Sequence, residues 1–259
     1  MNLPDLGLLA LVEGVADCLP LDASAHAMIA ARLLGLKAGG LAPALHLGTA
    51  LAIALYFWRD IGLIASGLWK LRKLRIEAGT RLLSKMLVAA LPLILVQSGV
   101  FGDGLPLLTG VLAVGILSLV TAILMIFVDR FSLTVKRIEH IGFFTSLAVG
   151  VAQLAALVPG IGRVTGALIL ARLFGMERSA AFRFVLLSSL PVLLAEAIGG
   201  LVQSGHTPGY SDLLSLGLSF LFVLIALPLG FGLMRRAGLL PFALYRLLFG
   251  VILIGLWFL

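Results

Sequence analysis

Glu13 and Asp17 stand four residues apart in an otherwise apolar run. On a helix that spacing puts both carboxylates on one face, with Cβ atoms about 5–6 Å apart. Two such groups repel unless a cation or a basic group lies between them. A hard divalent ion such as Mg²⁺, its shell completed by phosphate oxygens, meets that need; a helix-capping or interfacial acid is the plainer alternative. Asp22, Ser24 and His26 follow Pro20. His26 suits a nucleophile, a general acid or a proton shuttle, or a structural role. Asp22 and Ser24 are each divided between capping the helix that starts there and touching a site. Arg163 closes the run Pro159-Gly160-Ile161-Gly162-Arg163. A guanidinium at a glycine-rich turn ahead of a helix gathers fork-shaped donors, backbone N–H groups and a helix N-terminus, which suits a phosphate. Thr165 adds a hydroxyl, and Gln153 a donor behind it. Arg163 could equally pair with Glu13 or Asp17 to hold the fold, and the two roles are compatible. His46 and Glu196 are the other ionisable groups within apolar runs. Each is isolated in sequence and equally open to a structural role.

The residues that position this chemistry form two matching segments. Glu13–Leu36 and Gly150–Met176 each contain Gly-Val-Ala, reach a proline (Pro20, Pro159) and close on Ala-Arg-Leu-hydrophobic-Gly. They lie about half the chain apart, so the chain reads as two repeats, about 1–130 and 140–259, in one transmembrane domain. Charge at membrane depth is costly and marks a site. Proline-broken apolar segments at corresponding positions of two halves point to a binding site at the repeat interface.

The 259 residues are 61% hydrophobic and 12% charged, with mean hydropathy +1.17. That is about half the charge of a soluble domain, so the chain is an all-α, polytopic membrane protein. The net charge of +7 sits mostly between apolar spans, where it reports orientation rather than nucleic-acid binding. Cys18 is the single cysteine, a packing residue that excludes an intramolecular disulfide. The first residues lack the basic start of a cleaved signal peptide. Six stretches can cross a bilayer: roughly 41–57, 82–98, 106–128, 181–203, 212–234 and 241–259. Basic residues put 59–85, 129–139 and the stretch marked by Arg235, Arg236 and Arg246 in the cytoplasm; connections around 99–105 and 204–211 belong outside. Segment 140–176 has basic flanks at both ends, so it should enter from the cytoplasm and turn back at Val158–Gly162. Segment 3–36 should enter from outside and turn near Pro20. The fold expected is six transmembrane helices plus two re-entrant helical hairpins, in inverted repeats, meeting near the midplane. Broken backbone there needs protein or water around it. The residues themselves suggest a phosphate-bearing, lipidic ligand.

At these positions the chain resembles the undecaprenyl-diphosphate phosphatases, the bacitracin-resistance family. Its first motif, Glu-Gly-x-x-Glu-Phe-Leu-Pro-(Val/Ile)-Ser-Ser-(Thr/Ser)-(Gly/Ala)-His, reads here as the run from Glu13 to His26. Its second, Gln-x-(Leu/Ile/Ala)-Ala-x-x-Pro-Gly-x-Ser-Arg-Ser-Gly, is matched by Gln153, Ala156, Pro159, Gly160 and Arg163. His46–Thr49, Tyr56–Asp60, Asp129-Arg130, Arg183-Phe184 with Pro191, and Tyr245-Arg246 agree too, over nearly the whole chain. The resemblance implies hydrolysis of undecaprenyl (polyprenyl) diphosphate to the monophosphate and phosphate, recycling the carrier lipid for cell-wall synthesis. It implies a divalent cation (Mg²⁺ or Ca²⁺) and a site in the bacterial inner membrane open to the outer face. Glu13 and Asp17 would bind the metal or polarise the nucleophile. His26 would be nucleophile or general acid. Arg163, with Gly160, Gly162, Thr165, Ser24 and Gln153, would hold the diphosphate. Asp17 replaces the family's second glutamate, Asp22-Ala23 its Ser-Ser pair, and Gly162-Arg163-Val164 its Ser-Arg-Ser. His26, Ser24 and metal-activated water remain as nucleophiles, and a non-hydrolytic polyprenyl-phosphate binder or flippase with a degenerate active site remains as the alternative function. Whether the chain is a monomer or a homodimer is open at this level.

Overall fold

A computed structural model describes residues 3–35, 39–73, 75–99, 110–205 and 207–258. Leu36, most of the expected outer connection at 99–105 and the start of the expected span at 106–128 lie outside the described residues. Among those residues the regular structure is helical, apart from one isolated bridge between Lys136 and Met176.

The first segment is a broken helix. α1 (Leu3–Ala10) widens into a π turn at Leu11–Val15, continues as α2 (Ala16–Cys18), breaks at Leu19–Asp22 and resumes as α3 (Ala23–Leu34). The π turn replaces the regular helix expected around Glu13. Gly14 lies within it, and a Cβ there would stand 2.8 Å from Ser219 Oγ. The close approach of the helix that carries Ser219 therefore accompanies the local widening. Such single wide turns cluster at functional sites. The second segment has the same plan: α8 (Phe143–Gln153), a tight turn at Leu154–Leu157, a break, then α9 (Arg163–Leu173). Both breaks fall at the proline positions read from the sequence.

The long apolar helices are α6 (Ala78–Gln97), α7 (Val111–Phe131), α10 (Arg178–Ser204), α11 (Tyr210–Ala237) and α12 (Leu240–Phe258), each long and apolar enough to cross a membrane. α4 (Ala42–Tyr56) and α5 (Trp58–Leu71) together make a further candidate, bent by 84° at Phe57. Part of the basic stretch expected as a loop is thus helical. The chain is a multi-pass membrane protein. α4 packs between α10 and α11, α6 against α8, and α7 along α12. Gly115 and Gly250 let α7 and α12 meet backbone to backbone: a Cβ on Gly115 would lie 3.1 Å from the Gly250 carbonyl. Small residues at such crossings replace the hydrophobic drive that lipid removes.

Two carboxylates at the basic ends are paired. Asp129 accepts from Arg178 Nε at 2.7 Å and from its terminal nitrogen at 3.0 Å, and Arg183 pairs with Asp60. Arg246 corrects the sequence reading. In sequence it marks the last cytoplasmic stretch; in the structure it is fully buried in α12. Its fork finds backbone carbonyls and threonine hydroxyls in the interior, so it need not reach water.

Candidate active site

The two breaks meet. Asp22 is the cap of α3 and the one non-glycine residue with positive φ (91°) among those described. Its Oδ1 accepts from Ser24 Oγ at 2.6 Å and Ala25 N at 3.4 Å. Its Oδ2 accepts from the backbone N–H of Gly160 at 2.5 Å, in the other segment. Gly160 and Gly162 also have positive φ, and a Cβ on Gly162 would sit 2.8 Å from Asp22 Cα. Only glycine allows that approach at that backbone angle. Arg246 closes the joint from α12. It donates to the Gly160 carbonyl, to Leu21 O at 2.8 Å, and to the hydroxyls of Thr121 and Thr165.

Beside this joint is a cavity of about 270 Å³. Glu13, Asp17, Ser24, Gly162 and Arg163 line it, drawn from both broken segments, together with Asp22. Arg163 is buried (5% exposed) at the first residue of α9; its terminal nitrogen donates to Asp17 Oδ2 at 2.6 Å. Burial of such a pair costs desolvation, which only good geometry offsets. His46 from α4, Glu196 from α10 and Gln97 from α6 complete the wall. Gln97 Nε2 donates to Glu196 Oε1 at 2.6 Å, and Glu196 Oε2 lies 3.4 Å from His46 Nδ1. The same three residues also line a larger cleft of about 740 Å³ with Ser98 and Gln203. His46 and Glu196 stand isolated in sequence, and only packing of α4 against α10 brings them together. Their one signal was an ionisable group inside an apolar run.

The other expected site residues lie elsewhere. His26 does not line the cavity. Two residues past Ser24, it is turned by about 200° around α3. Its Nδ1 lies 2.7 Å from the Asp22 carbonyl and its Nε2 2.5 Å from Tyr245 Oη, with the ring stacked on Phe249 at 4.4 Å. Gln153 is fully buried and donates to Ala89 O at 2.8 Å. Thr165 meets Arg246 rather than the cavity. Gly160 has its N–H taken by Asp22.

Among the described residues no three His, Cys, Asp or Glu side chains gather to cage a metal. Glu13 and Asp17 still fit a hard cation as two carboxylates facing one cavity. Arg163 takes one Asp17 oxygen, and Glu13 makes no side-chain hydrogen bond among the described residues. Such a pair binds an ion only when substrate oxygens complete the shell.

Curated relatives align with this chain over nearly their full length. Undecaprenyl-diphosphatase 1 of Rhodospirillum rubrum is 32% identical, covering 100% of this chain and 96% of its own. Undecaprenyl-diphosphatase 1 of Paramagnetospirillum magneticum is 33% identical, covering 99% and 98%. The undecaprenyl-diphosphatase of Teredinibacter turnerae is 34% identical, covering 98% of each. The family described as bacitracin resistance protein BacA matches residues 7–252, and the chain belongs to that family.

Proposed function

We propose that the protein is an integral membrane phosphatase that hydrolyses undecaprenyl diphosphate to undecaprenyl phosphate and inorganic phosphate. The observation that carries this reading is Arg163, buried at the start of α9 and facing one cavity with Glu13, Asp17 and Ser24. The guanidinium and the free N–H groups of the first turn of α9 hold the diphosphate. Charge developing on the transferred phosphoryl group is met by groups already in place, at no reorganisation cost. Glu13 and Asp17 would hold a Mg²⁺ or Ca²⁺ ion, which would supply charge neutralisation when bound. His26 holds the Asp22 turn, Gly162 admits Asp22 against α9, and Thr165 anchors Arg246. Gln153 ties α8 to α6.

Within the membrane the two broken segments are re-entrant hairpins of inverted repeats, with their turns near the midplane. At about 1.5 Å per residue, neither α3 nor α9 can cross about 30 Å of hydrocarbon. The membrane is the bacterial inner membrane and the cavity opens to the outer face. The non-hydrolytic binder is the weaker reading, since relatives aligned over the whole chain are named as diphosphatases.

The test is phosphate release from undecaprenyl and farnesyl diphosphate by purified protein with Mg²⁺, with Ca²⁺ and with chelator, beside Arg163→Lys. Release is expected with metal only. It should fall at least about tenfold in the variant, which keeps charge but loses the fork. No release by folded wild-type protein that still binds the lipid would leave the non-hydrolytic binder standing.

A further inference from the structure

Hydrolysis needs a nucleophile that reaches the cavity. Three observations converge on one. First, Ser24 lines the cavity with Arg163, while His26 is turned away and has both ring nitrogens engaged. Second, Ser24 Oγ donates to Asp22 Oδ1 at 2.6 Å, leaving its lone pairs for a phosphorus atom. Third, Asp22 is itself held, by Gly160 N and Ala25 N. A hydroxyl bonded to an acceptor that a third group orients is the general signature of an activated nucleophile. Asp22 also carries the positive φ, on a residue that pays strain to adopt it.

Resting on the phosphatase reading above, we infer that Ser24 is the nucleophile of this chain and Asp22 the acceptor of its proton. Ser24 Oγ bonds to the terminal phosphorus as the bond from that phosphorus to the bridging oxygen breaks. Polyprenyl phosphate leaves with the electron pair, and the hydroxyl proton passes to Asp22 Oδ1. A water molecule then attacks the phosphoserine phosphorus. The Oγ–P bond breaks, Oγ takes its proton back from Asp22, and phosphate leaves with both water hydrogens. An acceptor weakened by three hydrogen bonds is adequate, because phosphoryl transfer through a loose transition state asks mainly for a positioned nucleophile; an aspartate receives the hydroxyl proton in protein kinases. Ala23 offers no competing hydroxyl.

The test uses full-length protein and undecaprenyl diphosphate radiolabelled in its terminal phosphate, with acid quench and peptide mass spectrometry. Phosphoserine at Ser24 is expected in wild type, and phosphothreonine at the same position in Ser24→Thr, which keeps a hydroxyl. Asp22→Asn should lower kcat by about 10²–10⁴ with KM within a few-fold, the range of a lost proton acceptor. Melting temperatures of all variants show that they fold. A folded Ser24→Ala protein with kcat near wild type would overturn the assignment, as would label on His26, and both would leave the phosphatase reading intact. Failure of that reading looks different: wild-type protein would release no phosphate at all.

Discussion

At the residue scale, the pair of Arg163 with Asp17 does most to define the cavity. The two side chains are 4% and 15% exposed and 2.6 Å apart. Removing one partner leaves the other charge in a dry site, at a cost of about 3–5 kcal/mol. Arg163→Ala and Asp17→Asn should therefore each destabilise strongly, while the double variant should lose less than the sum. Thermal unfolding in detergent reads this coupling, and strict additivity would show that the two do not act as a unit. The charges of this site were legible in sequence because each interrupts an apolar run. Which of them meet was legible only in part. Glu13, Asp17 and Arg163 share motifs placed alike in two halves. His46, Glu196 and Gln97 come from three different helices, and nothing in their local sequence links them. His26 lies in a motif with Ser24, but the helix turn between them sends it to the opposite side.

At the scale of elements, the breaks matter more than the helices. Proline and glycine end helices for steric reasons that hold in any surroundings, so both breaks could be read directly. The π turn at Leu11–Val15 and the 84° bend at Phe57 could not, because they arise with packing on α11 and α6. The joint between the breaks depends on Gly162, where φ is +80° and a Cβ would strike Asp22. Gly162→Ala should cost about 1–3 kcal/mol in backbone strain alone, with the clash added. Activity should fall with it, since Asp22 and Arg163 flank that position. Gly62 in α5 has open space around it. Gly62→Ala should be neutral or raise stability by up to about 1 kcal/mol. Melting temperatures of the two variants decide the matter, and equal losses would refute the close-approach account.

At the scale of the molecule, charge and cavity bear on the orientation proposed above. Exposed Arg59, Arg72, Lys73, Arg75 and Arg81 gather around α5 and the start of α6, with Arg235 and Arg236 at the end of α11. The positive-inside tendency supports the proposal that these ends face the cytoplasm. The 740 Å³ cleft that adjoins the active cavity is lined by Gln97 and Ser98 at the other end of α6 and by Gln203 at the end of α10. On the orientation proposed above, access would run from the outer face. Cys18 is the single cysteine and is buried, so Cys18→Ala gives a background for single cysteines at Ser98 and Arg75, both exposed. In spheroplasts a membrane-impermeant maleimide should label Ser98→Cys at once and Arg75→Cys only after permeabilisation. The reverse pattern would turn the cleft toward the cytoplasm, and recycling of a lipid delivered to the outer leaflet would then need another protein to return it first.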